Sequence, residues 1–145
     1  MSLVEDFLTA EEEQRIVAAI RQAEKTTSGE IRVHIEKHSE LTVLQRASEV
    51  FFELNMDHTE KRNGVLIYIG VEDHRFAIIG DRGIDTVVPD DFWETTKNSM
   101  RTQFIKGNFC QGIIDGITVA GQQLQTYFPW DQDDINELSD EISKG

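Results

Sequence analysis

The sequence predicts an α/β fold, a Rossmann-like three-layer sandwich whose mixed parallel and antiparallel sheet is flanked by helices. Three observations carry this expectation. Gly64-Val65-Leu66-Ile67-Tyr68-Ile69-Gly70 is a continuous apolar run, the pattern of a central strand covered on both faces. Apolar residues at helical spacing precede and follow it, giving the order helix, strand, helix, strand, strand, helix, helix. Only Val71-Glu72-Asp73-His74 separates the run from the next apolar stretch, Arg75 to Gly80, which implies an antiparallel hairpin.

The elements follow in order. Thr9 and Glu12 form a capping box that starts a helix at about Ala10, with Ile16, Val17, Ile20 and Ala23 at helical spacing. Thr26-Thr27-Ser28-Gly29 stops it. From Glu30 to Ile35 the residues alternate, Ile31, Val33 and Ile35 against Glu30, Arg32 and His34, which predicts a strand with one wetter face near a sheet edge. A second helix carries Val43, Leu44, Ala47, Val50, Phe51 and Leu54 on one stripe, and exits through the polar segment Asn55 to Asn63. With the strand at Gly64 it forms a right-handed parallel crossover. After the hairpin, Gly80-Asp81-Arg82-Gly83 reads as a turn, and Ile84 to Val88 as a short strand. Pro89-Asp90-Asp91 opens a helix with Phe92, Trp93, Thr96, Met100 and Phe104 on one side. Asn108 is placed to cap a long final helix bearing Ile113, Ile114, Ile117, Leu124 and Phe128. Gly112, Gly116 and Ala120 leave one face of that helix nearly bare, so that face is expected tight against a sheet or another helix.

Residues 1–130 are read as one domain and 131–145 as an acidic C-terminal tail. The 145 residues hold 27 Asp and Glu against 14 Lys and Arg, a net charge of −13, with a pI of about 4.6 and mean hydropathy of −0.40. Six acids and one lysine in 131–145 supply −5 of that charge, leaving −8 on the domain. Ile135, Leu138 and Ile142 recur among the acids, so the tail has the means to dock, although a solvated flank is the simpler expectation. It is not an EF-hand, because Ile135 stands at the third ligand position.

The charge excludes some partners. Excess carboxylate repels phosphate backbones and anionic headgroups, so neither nucleic acid nor a membrane surface is expected. No run approaches the ~20 apolar residues of a membrane span, and no signal peptide is visible, so a cytoplasmic protein is expected. Cys110 is the lone cysteine and cannot form an internal disulfide. His34, His38, His58 and His74 lack a zinc-ligand spacing on a helix. No nucleophile elbow, Walker loop or dinucleotide fingerprint occurs. An all-acidic surface argues for a monomer.

The predicted topology gathers carboxylates at the two ends of the sheet. One end holds Glu30, Arg62-Asn63-Gly64, Gly80-Asp81-Arg82-Gly83 and Asp85. The other holds Glu36-Lys37-His38 and the hairpin tip Glu72-Asp73-His74. Oxygen-rich clusters beside glycine turns suit hard cations, Ca²⁺ or Mg²⁺, with waters completing the shell. Glu30, Asp81, Asp85, Asp73, Glu72 and Glu36 are therefore the candidate ligands, weighed against solvated turns with local Arg–Asp pairs.

Ser28-Gly29-Glu30-Ile31-Arg32-Val33, Asn63-Gly64-Val65-Leu66-Ile67-Tyr68, Gly80-Asp81-Arg82-Gly83-Ile84 and Phe104-Ile105-Lys106-Gly107-Asn108-Phe109 with Gly112 together resemble the TPM domain family. The resemblance runs from about Val4 to Phe128. It implies the mixed-sheet sandwich, Ca²⁺ binding and, from some plant members, acid phosphatase activity linked to photosystem repair. The matching polar positions are Glu30, Asn63 and Asp81, with Asp73 at the hairpin tip. Two departures stand out. Met100 to Gln103 lack the family's proline, and Asn108 replaces its usual acid.

Three functions compete. The first is a non-catalytic divalent-cation-binding domain that acts through an unidentified protein partner. The second is a metal-assisted phosphatase in which an Asp attacks or activates water and Arg32, Arg62 and Arg82 converge on phosphate. The third is a pure interaction module presenting the acidic tail and the Phe128-Pro129-Trp130 corner.

Overall fold

The computed structural model describes residues 6–130 and 138–145. Helix α1 (Ala10–Ala23) starts where the capping box places it: Thr9 Oγ1 accepts Glu12 N at 3.1 Å and Glu12 returns the bond at 3.0 Å. Strand β1 (Glu30–Glu36) is joined by helix α2 (Val43–Glu53) and a 3₁₀ turn (Met56–His58) to strand β2 (Gly64–Gly70). A second capping box, Thr42 with Gln45, opens α2. Strand β3 (Arg75–Gly80) returns through the hairpin, and a short helix α3 (Arg82–Asp85) leads to α4 (Glu94–Ile105) and α5 (Phe109–Tyr127). Strand β4 (Ser143–Lys144) closes the described chain.

The sheet order is β3-β2-β1-β4. β1 pairs parallel with β2 from Glu30↔Gly64 to Glu36↔Gly70, and β3 pairs antiparallel with β2. All seven β2 residues are buried, because each face meets its own core. Val65, Ile67 and Ile69 pack with Ile31, Val33 and Ile35 against α1, α4 and α5. Leu66 and Tyr68 pack against Ala47, Val50 and Phe51 of α2. These two cores on opposite faces make the three-layer sandwich.

The bare face of α5 meets α4. A Cβ on Gly112 would lie 2.5 Å from the Phe104 ring, and one on Gly116 would lie 2.6 Å from Met100 Sδ. Small residues here let two helices approach closely enough to bury Met100 completely. Among the described residues, no helix is long and apolar enough to cross a membrane.

Four local expectations are corrected. Ile84 to Val88 does not form a strand: Asp81 caps a helical turn instead, its carboxylate accepting Arg82 N at 2.7 Å. The helix after Pro89 begins at Glu94, since residues 89–93 are turns closed by Phe92 N→Pro89 O and Glu94 N→Asp91 O. Asn108 occupies the N-cap position of α5 without capping it, and its amide donates to Gln103 Oε1. β1 lies next to the sheet edge as expected, beside the two-residue β4, but its expected wetter face is buried. Glu30, His34 and Glu36 are buried, and β4 pairs parallel along its outer side at His34↔Ser143 and Ile35↔Lys144. The solvated-flank expectation thus gives way for 138–145, while Ile135 and residues 131–137 lie outside the described residues.

Candidate functional site

The six candidate carboxylates fall into four separate environments. Asp81 and Asp85 line one cavity of about 390 Å³ at the amino end of β2, together with Ser48, Phe52, Arg62 and Arg82. Asp81 is buried, and Arg62 grips it with Nε at 2.7 Å and Nη2 at 3.0 Å. That bidentate pair raises the Arg62 guanidinium further above its ordinary value. Gly83 makes the arrangement possible. Its Cβ would fall 2.2 Å from Lys61 O, so only a glycine lets α3 lie on the loop that presents Arg62. Asp85 is exposed at the cavity mouth, and partial burial and the Asp81 charge hold its carboxyl above the usual range.

Glu30 does not join them. It pairs with Gly64, whose carbonyl accepts Asp81 N from the other side, so β2 separates the two acids. At ordinary strand spacing their backbones stand roughly 10 Å apart. Glu30 Oε1 instead accepts Leu138 N at 2.8 Å, fastening the returning tail. Beside it, Glu24 Oε2 accepts Ile31 N at 3.1 Å. Burial, then a hydrogen bond with Asp140, pushes the Glu24 carboxyl up to about 9.

Glu36 is the centre of a buried polar network. Arg46 donates to both its oxygens, Nε at 2.8 Å and Nη2 at 3.0 Å, and continues to Glu49 and Glu53. Tyr68 OH donates to Oε2 at 2.5 Å, and His34 Nε2 lies 2.9 Å from Oε1. Burial works to raise the Glu36 carboxyl, but the hydrogen bonds from Arg46, Tyr68 and His34 outweigh it and hold it at about 2. Burial lowers His34 despite Glu36, so the neutral ring donates through Nε2 and accepts from Ser143 Oγ through Nδ1, 2.9 Å away. With four donors filling its lone pairs, Glu36 has no coordination left to offer an ion.

Half-buried Asp73 and exposed Glu72 stand at the hairpin tip. Asp73 Oδ1 lies 2.7 Å from His38 Nδ1, whose other nitrogen is 3.0 Å from Glu40. These two hydrogen bonds, Asp73 first, raise His38 to about 8. Glu72 pairs loosely with Lys37 at 3.8 Å. Among the described residues no group of three or more His, Cys, Asp or Glu is arranged to hold a metal.

Of the three arginines expected to converge, Arg62 and Arg82 line the Asp81 cavity. Arg32 does not. It is half-buried on β1, its Nε has no hydrogen-bond partner among the described residues, and burial lowers its guanidinium. Asn63 is buried, its Nδ2 donating to Ser28 Oγ, and so supports the strand ends rather than the cavity. Sequence reasoning missed the Glu36 network and the Glu24–Asp140 pair. The helical spacing of Arg46, Glu49 and Glu53 marks only the exposed half of that network.

Fold and cavity together define an open mixed-sheet α/β domain with paired acids and arginines at one end of its central strand. The TPM domain model matches residues 3–123, and the chain belongs to that family. It is similar to the BA42 protein of the psychrophilic bacterium Bizionia argentinensis, known from an NMR structure. The two share 61% identity over 100% of both chains, with a TM-score of 0.93. The N-terminal domain of a P. gingivalis protein shares the fold at 16% identity and a TM-score of 0.67, over 85% of this chain and 80% of that one. No curated protein sequence matches significantly.

Proposed function

We propose that this TPM-domain protein binds a divalent cation, Ca²⁺ or Mg²⁺, through Asp81 and Asp85, and acts through a protein partner. The observation that carries the reading is the shared cavity, in which partial burial and then the Asp81 charge hold the Asp85 carboxyl above its usual range. A cation between them relieves that repulsion. Two protein carboxylates with water in the remaining positions is a coordination style Mg²⁺ commonly adopts, and Ca²⁺ accepts it with lower affinity. Arg62 neutralises Asp81 in the meantime and swings outward when an ion enters. Exposed Phe52 at the cavity and exposed Leu44 on the same helix supply apolar contact area for a partner.

Calorimetric titration with each ion separately tests this. Saturable heat is expected, weakened about tenfold by Asp85→Asn, which removes a charge-assisted ligand without touching the α3 cap. Unchanged affinity in that variant, or no saturable heat at millimolar ion, sinks the reading.

A second reading, a metal-assisted phosphatase, draws on Arg62 and Arg82 lining the same cavity as the acids. There the ion polarises a phosphoryl oxygen, the arginines hold the phosphate and Asp85 activates water. Metal-dependent hydrolysis of a phenyl phosphate, lost in both Asp85→Asn and Arg82→Gln, is its signature. Activity surviving both changes rules it out.

A further inference from the structure

At the opposite end of β2 from Asp81 lies a cavity of about 290 Å³, where the β2–β3 hairpin meets the end of α4 and the start of α5. Its wall is aromatic. Phe76 and Phe104 meet edge to face at 5.1 Å and 85°, Phe109 follows Phe104 at 5.8 Å, and Phe7 lies 5.0 Å from Phe109. Phe104 and Phe109, at either end of the α4–α5 turn, build this wall together with Phe76 and Phe7. Gly112 lets the Phe104 ring lie flat on α5, since any side chain there would displace it.

The rim is cationic. His74, Arg75 and Arg101 line it; no carboxylate is among the described lining residues, and the neighbouring Asp73 stands behind Gly70, close enough to Arg75 to feel its charge, and is itself engaged by His38. Arg101 is held by neutral groups alone: its guanidinium lies 5.9 Å from the centre of the Phe76 ring, and Nη1 donates to Asn98 Oδ1 at 2.8 Å. His74 sits at φ 53°, in the left-handed conformation that closes the four-residue β2–β3 turn. Every other strongly charged cluster described above is acidic or already paired. In a chain of net charge −13, two guanidiniums over a phenylalanine-lined mouth are a local reversal of sign.

We propose that this cavity binds a small organic carboxylate with a single aromatic or branched apolar body. The volume, near the lower limit for ligand pockets, admits one ring or a short acyl chain. The apolar body fills the space between Phe76, Phe104 and Phe109, and the carboxylate takes the Arg75 and Arg101 guanidiniums, whose planar donors match its geometry. The aromatic wall takes the apolar body, and the carboxylate stays at the exposed rim with the guanidiniums. The site lies on the carboxyl side of a parallel strand, where open α/β sheets commonly bind ligands.

The test uses the full chain, with amide shifts followed by NMR during titration with phenylacetate and, separately, its uncharged analogue phenylacetamide. Saturable shifts centred on Phe76, Phe104 and Phe109 are expected with phenylacetate, and binding at least about tenfold weaker with phenylacetamide. Arg101→Gln and Arg75→Gln each weaken phenylacetate by a similar factor while leaving the spectrum dispersed and phenylacetamide binding unchanged. Equal binding of the two probes, insensitivity to both arginine changes, or no saturable shift up to about 10 mM overturns the proposal.

Discussion

Glu36 and Asp81 are both buried carboxylates gripped by an arginine in bidentate fashion, yet they play opposite parts. Glu36 is surrounded on all sides: Arg46, Tyr68 and His34 occupy its oxygens, and β4 covers the network through Ser143. Asp81 has a single cationic partner, sits at the edge of a cavity and shares it with a second acid. Glu36 takes four donors from three side chains and ties β1 to α2, whereas Asp81 takes three, two from Arg62 and one from the Arg82 backbone, and stays at the edge of a cavity. The contrast explains why burial and an arginine partner alone do not identify a binding site.

The largest effect should come from breaking the satisfied member. Glu36→Gln removes the charge to which Arg46, Tyr68 and His34 donate, and although half-buried Arg46 keeps Glu49 and Glu53, a loss of about 3 kcal/mol is expected by urea unfolding. A loss under about 1 kcal/mol would show that the network is hydrated and not the lock described here.

Next comes the scaffold of the Asp81 side. Gly83→Ala drives a Cβ into the Lys61 and Arg62 carbonyls, so the α3 turn must shift and take Arg62 off Asp81. A cost of about 1–3 kcal/mol is expected, the range for overpacking, together with altered cation affinity in the calorimetric titration. Unchanged stability would mean that the loop yields freely.

Proton linkage sharpens the comparison further, because Glu36 and Glu24 shift in opposite directions. The Glu36 contribution is fully present above its ordinary value of 4.5 and is lost as pH falls toward about 2. Glu24, raised from 4.5 to about 9, contributes stability that is present below 4.5 and lost as pH rises toward 9. Glu24→Gln should therefore flatten the decline in unfolding midpoint between pH 5 and 9 while leaving the acid limb in place. An unchanged slope in that window would refute the protonated Glu24–Asp140 pair.

The smallest expected effect lies at the solvent-exposed hairpin tip. His38 titrates at about 8 because Asp73, then Glu40, hydrogen-bond to its charged form. Asp73→Asn should return it toward its ordinary value in an NMR titration, with little change in stability. A titration midpoint left near 8 would assign the shift to Glu40 instead.

Much of this was legible in the primary structure because the information is local. β2 declares itself by seven apolar residues in a row, α1 by its capping box and the hairpin by a four-residue break. Asp81 and Asp85 could be named as neighbours because they stand four positions apart in one turn. The Glu30–Asp81 pairing failed for a geometric reason: both acids flank the start of β2, but on opposite sides of it. Ile84 to Val88 carries the composition of a strand, and the Asp81 cap decided otherwise.

What the sequence by itself determined is the main helices and the strands β1 to β3, their order and the topology that follows from short connections, while β4 and the helical turn after Asp81 were not among them. Those depend on periodicity, capping and chain reach, which act within a few residues. Which acids are neutralised was decided by the tertiary structure alone. Arg46 reaches Glu36 from another layer, Ser143 reaches His34 from more than a hundred residues away, and Phe104 is laid against β3 by a glycine on a different helix. A charge becomes a structural lock or an open site according to what packs around it, and that is a property of three-dimensional neighbours.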